Sequence, residues 1–515
     1  MANEVAMPAP EERLKGLKLA IGTLALAAGS FMNVLDTSIA NVSLPTIAGD
    51  FGVTATQGTW VITSYAVSEA IFLPLTGWLS KRIGDVRQFI FATLLFTVAS
   101  MLCGAAPSFE MLILARVLQG VVGASMIPLS QSLLVKIYPP AKRGMALGIW
   151  ATTTVIAPVL GPVIGGWLTD TLVWRWAFYI NLPFGILTAY GVYWLFGAPK
   201  AKPSTESIDI VGLLLLIVAV SCLQIMLDKG NELDWFSSEL IIGLSIISAI
   251  ALVSFVIWEI YEENPVVDLR LFKLRNFRTA AICLFFGAFS FYIYIVIGPL
   301  WLQTQLGYTA FQAGRVMAFT GVLALITGPI FGANINRVDA RLIATVGFSC
   351  MAGGCFWAAS FTTAVDESSL MVARLIMGVG ISGFFMPMTA IAMSSLKPQQ
   401  FAAGSGLTNF LRNMGGSIGT AIATTVWQDN AARHHAHLVE NIALGNPAYQ
   451  QFSDQATSAG LTEPVKSAVI DQLISSQAYL LSTNQLMIAA GGLLLCLLPL
   501  IWLAKPPFGA AKGAH

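Results

Sequence analysis

Fourteen predominantly apolar runs, each about 20 residues long, recur along the chain, more than the core of any single soluble domain can bury. A helix of that length crosses the hydrocarbon layer of a bilayer, where only helices and closed barrels satisfy their own backbone polar groups. The runs lie near residues 18–41, 57–80, 88–106, 109–135, 144–168, 176–196, 208–228, 238–259, 279–303, 310–332, 341–361, 367–395, 402–427 and 484–504. The predicted fold class is therefore an all-α polytopic membrane protein with fourteen spans. Charged residues make up 11% of the chain, against about 25% in soluble domains, so most of it must sit in lipid. The first run is too long for a removable signal and lacks a small-residue cleavage site, so it is expected to stay in the mature protein.

An even number of spans puts both termini on one side, and basic residues mark that side as cytoplasmic. Of 28 Lys and Arg residues, 20 fall on the side of the termini, among them Lys81, Arg82, Lys136, Arg278 and Lys505. Arg175, Lys229, Arg433 and Lys466 fall opposite, and Arg116, Arg315, Arg374 and Arg412 fall within spans. The long polar segment at about 428–482 is then an outer loop. Within it, residues 462–480 read as an amphipathic helix on the outer surface, with Val465, Ala468, Val469, Leu473 and Tyr479 near one face. His434, His435 and His437 read as part of a solvated loop rather than a metal site. All six cysteines lie in apolar runs and read as core residues, so no metal is expected. A net charge of +1 gives no sign of nucleic-acid binding, and no GxxxxGK[ST] loop is present to bind ATP. No cofactor is expected, and no catalytic constellation or large ligand-binding domain speaks for an enzyme or a receptor.

The chain is internally duplicated. Leu112, Arg116 and Gly120 match Leu370, Arg374 and Gly378 at one offset, which also carries Pro140 to Pro398, Gly148 to Gly406 and Gly161 to Gly419. Gln57, Gly77 and Arg82 match Gln312, Gly332 and Arg337 at a slightly smaller one. The expected organisation is a six-helix bundle over 1–204, two inserted helices over 205–262, and a second six-helix bundle over 263–515 that carries the outer loop.

Four motifs carry a family resemblance. The loop Gly77-Trp-Leu-Ser-Lys81-Arg82-Ile-Gly84-Asp85-Val-Arg87 resembles the GxLaDrxGrk signature of the major facilitator superfamily, with Lys81 where the family has aspartate and Asp85 as a nearby carboxylate. Arg116, Gln119 and Gly120 match its RxxqG motif. Ala157, Pro158, Gly161, Pro162, Gly165 and Gly166 resemble the antiporter motif gxxxGPxxGG, with alanine at the first glycine. Leu35-Asp36-Thr37-Ser38-Ile39-Ala40-Asn41-Val42-Ser43-Leu44-Pro45 resembles LDxTIVNVALP of the fourteen-helix drug:proton antiporters. Further stretches, QGTWVITSY, IPLSQSLL, YPPAKR, LQIMLDKGNELDWF and AKPPFGA, extend the likeness to the EmrB-type exporters along nearly the whole chain. The resemblance implies the major facilitator fold and a pump in the inner membrane of a Gram-negative bacterium. That pump would export hydrophobic drug-like compounds in exchange for protons, working with an EmrA-type periplasmic adaptor and a TolC-type outer-membrane channel.

Charged groups inside spans mark the expected machinery, because each is costly in lipid and needs a partner or a cavity. Asp36 and Arg116 fall within about one helical turn of the same depth and can pair, either as a proton-coupled switch or as a plain structural ion pair. Glu69, mid-span, is either a proton carrier or a cavity-lining hydrogen bonder. Arg374 lacks an acidic counterpart to Asp36, since the matching stretch reads Phe289-Ser-Phe-Tyr292-Ile-Tyr294; it is expected to bond tyrosine or backbone groups or to contact substrate. Trp60, Tyr65, Phe289, Tyr292, Phe384, Phe385, Met386 and Phe410 are the candidate cavity residues. Arg315 and Arg412, as embedded cations, favour neutral or weakly acidic substrates.

Overall fold

The computed structural model describes residues 16–53, 55–139, 142–197, 209–335, 337–440, 447–458, 462–506 and 508. The expected boundary at 204/205 and both extreme termini lie outside that set. Every regular element described is helical.

The first half contains α1 (Gly16–Phe51), α2 (Ala55–Gly58), α3 (Trp60–Phe72), α4 (Thr76–Ile83) and α5 (Asp85–Ala105). It continues through α6 (Phe109–Gly123), α7 (Met126–Ile137), α8 (Arg143–Thr171), α9 (Trp176–Tyr179) and α10 (Asn181–Phe196). Two helices follow, α11 (Ile210–Lys229) and α12 (Glu239–Tyr261). The second half contains α13 (Arg275–Thr304), α14 (Ala310–Asn334), α15 (Ala340–Ala358), α16 (Glu367–Ser394), α17 (Phe401–Glu440), α18 (Pro447–Ser458) and α19 (Glu463–Ile501).

Each of the fourteen apolar runs is occupied by helix, and among the described residues ten helical segments are long and apolar enough to cross a membrane. Two of the runs depart from a straight span. Run 57–80 breaks into α3 and α4 around Pro74, which has no N–H to donate and clashes with the preceding turn. Run 109–135 bends between α6 and α7, where Pro128 withdraws the bond to residue 124. Apolar side chains cover the outside, with Leu187 68%, Ile250 63% and Phe91 56% exposed, as in a multi-pass protein whose solvent there is lipid.

The outer segment is not a loop through its length. Helices α17 and α19 run 40 and 39 residues, roughly 60 Å each, twice the hydrocarbon thickness, so both project beyond it. The expected surface helix at 462–480 is the first part of α19, continuous with the last span. Its buried face is Lys466, Ile474 and Ala478, while Val465 and Leu473 are exposed. Trp427 stacks on Tyr479 at 4.6 Å and donates to the Thr483 hydroxyl at 2.8 Å, which joins the two long helices at the membrane edge.

Within the first half α1 packs on α8 and α10, and α3 on α6; within the second α13 packs on α17 and α19, and α14 on α16. The inserted pair pack on each other, with α11 against α3. The halves meet where α8 touches α14 and where α4 and α7 touch α17. At that end a Cβ on Gly77 would stand 2.6 Å from the Ala403 Cβ, and one on Gly148 2.7 Å from the Gly328 carbonyl, so the backbones approach as only glycine allows. Gln131 Oε1 accepts from the Ser405 hydroxyl and, at 2.8 Å, from Asn409 Nδ2.

Candidate functional site

A polar knot is buried inside the first half. Asp36 on α1 and Arg116 on α6 are fully enclosed, with Arg116 Nη1 2.6 Å from Asp36 Oδ2. The other carboxylate oxygen accepts from Asn181 Nδ2 at 2.6 Å and Gln119 Nε2 at 2.9 Å. Arg116 Nε donates to the Val61 carbonyl at 2.9 Å, and its guanidinium lies over the Tyr65 ring at 4.3 Å. Tyr65 in turn donates from its hydroxyl to Glu69 Oε1 at 3.3 Å. Asp36, Arg116, Tyr65 and Glu69 thus form one connected line through α1, α6 and α3. Asn181 escaped the sequence reading; an amide at the head of an apolar run was its only signal.

That line ends at a cavity of about 1300 Å³ between the halves. Its wall includes Tyr65 and Glu69 from α3, Tyr292 and Tyr294 from α13, Arg374 and Phe385 from α16, and Arg412 from α17. Asp36 and Arg116 stand behind this wall rather than in it. The lining continues to Thr46, Trp167, Thr169 and Gln303, at the ends of their helices away from the Gly77 and Gly148 contacts. Glu69 and Arg412, from opposite halves, both line this cavity.

Other expected cavity residues lie elsewhere. Phe384 is buried between Phe348 and Phe385, with ring centroids at 5.1 and 4.4 Å, and Met386 is buried in the core. Trp60 sits beside Lys229 of α11, 5.6 Å from its Nζ, and Phe410 and Phe289 pack against the core. Arg315 does not line the cavity: it is half exposed in the first turns of α14 and pairs with Glu367 at 2.5 Å. The three histidines lie on the extension of α17, with His435 Nε2 3.0 Å from Asp471 Oδ1.

The glycine motifs act by close approach. A Cβ on Gly161 would strike Ser38, whose hydroxyl donates to the Pro158 carbonyl at 3.3 Å, and one on Gly165 would meet Ile39, so α8 lies directly on α1. Gly166 instead lines the cavity; the side chain of Pro162 is outside the described set. Gly120 lies against the Tyr65 carbonyl. Gly84, at φ +84°, makes the turn between α4 and α5 that a side chain would strain. Arg82 lies 5.3 Å from the Trp78 ring, and Asp85 bonds Ser80 and Lys136, so that carboxylate ties elements of one half together rather than linking the halves.

The duplication is unequal at its centre. The offset of 258 residues that carries Arg116 to Arg374 carries Gln119 to Met377, and the offset of 255 that holds ahead of it carries Asp36 to Phe291. Arg374 has the Tyr294 ring at 4.0 Å and no carboxylate partner among the described residues, whereas Arg116 has both the Tyr65 ring at 4.3 Å and Asp36.

Residues 26–420 match the Major Facilitator Superfamily. The chain is 43% identical over 504 residues to the multidrug export protein EmrB of Escherichia coli, covering 98% of each. It is 41% identical over 502 residues to the fatty acid resistance protein FarB of Neisseria gonorrhoeae, covering 98% of this chain and 99% of that one. Among solved structures, the human organic anion transporter MFSD10 superposes with a TM-score of 0.62 at 12% identity, over 95% of this chain and all of that one. A bacterial homologue of the lysosomal transporter Spinster, in an inward-facing state, gives 0.53 at 16% identity over 95% and 98% of the two chains. These two likenesses concern the fold alone.

Proposed function

The chain belongs to the major facilitator superfamily, in the branch of the EmrB multidrug exporters, and on that premise we propose that it expels hydrophobic compounds from the cell in exchange for protons. The observation that carries this reading is the cavity between the halves, large enough for a drug-sized ligand and walled by aromatic, methionine and a few polar side chains. Glu69 exchanges the proton. A carboxylate in that wall is costly to keep charged, so protonation and substrate occupancy compete for the same space. Tyr65 and Arg116 pass its charge state to Asp36, and so to the packing of α1, α3 and α6. Arg412 opposite Glu69 favours neutral or weakly acidic compounds over cationic ones. All fourteen runs cross the inner membrane of a Gram-negative cell with both termini in the cytoplasm, as 6 + 2 + 6 helices, and the closed end bearing Gly77 faces the cytoplasm. The projecting parts of α17 and α19, with α18, meet a periplasmic adaptor of the EmrA kind, which continues to a TolC-type channel.

The test is Glu69→Gln in proteoliposomes. It is expected to retain binding of a fluorescent hydrophobic substrate while losing transport driven by a pH gradient. Full pH-driven transport by this variant would remove Glu69 from the mechanism.

A further inference from the structure

A second, smaller pocket lies in the other half, between α13, α15, α16 and α19, apart from the Asp36 knot. Its volume is about 20 Å³, room for one or two water-sized bodies. Arg374, Trp301, Asn484, Gly298 and Tyr294 contribute to its wall, Arg374 and Tyr294 standing between it and the larger cavity, which they also line. Arg374 is 7% and Trp301 3% exposed. Among the described residues the Arg374 guanidinium has no ion pair and no hydrogen bond to protein; its close neighbours are the Tyr294 ring and the Gly298 backbone, where even a Cβ would collide with it. Trp301 Nε1–H is buried with no acceptor, and Asn484 Oδ1 is buried with no donor. The carboxylates at the start of α16 are committed elsewhere, Glu367 to Arg315 and Asp366 to Ser368 and Ser369.

A buried guanidinium without an anion is expensive, and this one sits beside an unmet indole donor in a pocket of ionic size. We propose that the pocket formed by Arg374, Trp301 and Asn484 binds a small inorganic monoanion such as chloride. The ion takes the electrostatic place that Asp36 fills beside Arg116 in the first half, and the Trp301 indole N–H donates to it. Asn484 keeps its NH2 on the Phe361 carbonyl at 3.3 Å, so the donors to the ion are Trp301 and Arg374. A neutral water would satisfy the indole but leave the guanidinium charge uncompensated. A diffusible counter-ion in the second half, against a fixed carboxylate in the first, makes the stability of the two bundles respond differently to anion concentration.

The experiment uses the full chain in detergent, with sodium chloride exchanged for sodium gluconate at constant ionic strength. Chloride is expected to raise the unfolding temperature saturably and to show broadening of its chlorine-35 resonance in the presence of protein. Trp301→Phe, which keeps an aromatic ring and removes one donor, is expected to raise the half-saturating chloride concentration about tenfold. Arg374→Met is expected to abolish both the thermal effect and the broadening. Equal unfolding temperatures in the two salts for the unaltered protein would overturn the proposal. So would an unchanged chloride response in Trp301→Phe, read against that variant's own unfolding temperature in gluconate. The readouts involve neither protons nor substrate, so this site stands or falls independently of the transport reading.

Discussion

Replacing Asp36 by asparagine keeps the side chain's size and withdraws its charge from a group with no solvent exposure. One amide oxygen then remains for the donors of Arg116, Gln119 and Asn181, and the new NH2 is directed at donors rather than acceptors. The Arg116 guanidinium keeps the Val61 carbonyl and the Tyr65 ring but loses its only counter-ion among the described residues. Leaving a buried charge of this kind unpaired costs about 3–5 kcal/mol. Arg116→Gln strands the carboxylate instead and costs a similar amount. The double variant removes both charges, so its loss is expected to fall short of the sum of the single losses by about 2 kcal/mol or more. Reversible unfolding in mixed micelles measures all three, and each is expected to fail in pH-driven transport. Losses that add to within about 0.5 kcal/mol would show that the two groups do not act as a pair, and the line from Asp36 to Glu69 would lose its first link.

Gly77→Leu must push Ala403 away, so it is expected to loosen the closed end and speed maleimide labelling of a Ser405→Cys reporter; unchanged labelling would show that this contact does not hold the halves together. Replacing residues 430–478 with a short flexible linker is expected to spare vesicle transport and abolish drug resistance in whole cells, since Trp427 and Tyr479 already bring the cut ends together. Normal resistance with that linker would take adaptor docking away from the projecting helices. The Ser368 and Ser369 hydroxyls and the Ser369 amide hold the Asp366 carboxyl down at about 2, below its ordinary 3.8. A depressed carboxyl stabilises the fold above its unfolded value and loses that contribution as pH falls through its folded one. Asp366→Asn is therefore expected to lower thermal stability at pH 7, by an amount that vanishes between about pH 4 and pH 2; a pH-independent difference would contradict the capping role.

The parts of the site legible in the sequence were those with a prohibitive cost. Asp36, Glu69, Arg116 and Arg374 stand out because a charge in an apolar run demands a partner or a cavity, and the structure places all four on the knot, the cavity wall or both sides of it. The aromatic residues carry no such signal. Phe384 and Phe385 are neighbours on one apolar helix, yet one is core and the other cavity wall, because a helix that is apolar all round does not reveal which face meets water. The partner of Arg315 is hidden for a related reason: its pairing with Glu367 joins α14 to α16, which cannot be seen along the chain. The outer segment's polarity resembles that of a loop, although polar residues on two long helices that have left the membrane give the same composition.

Where the halves meet, Gln131, Ser405 and Asn409 put amides and hydroxyls on facing surfaces instead of a continuous apolar seam. Such groups can change partners. When the surfaces part, water takes over the donors and acceptors, and the net cost is about 0.5–1.5 kcal/mol per bond rather than the unrecovered penalty of wetting bare hydrocarbon. Parting the seam at these three residues therefore exchanges hydrogen bonds with water rather than exposing hydrocarbon alone.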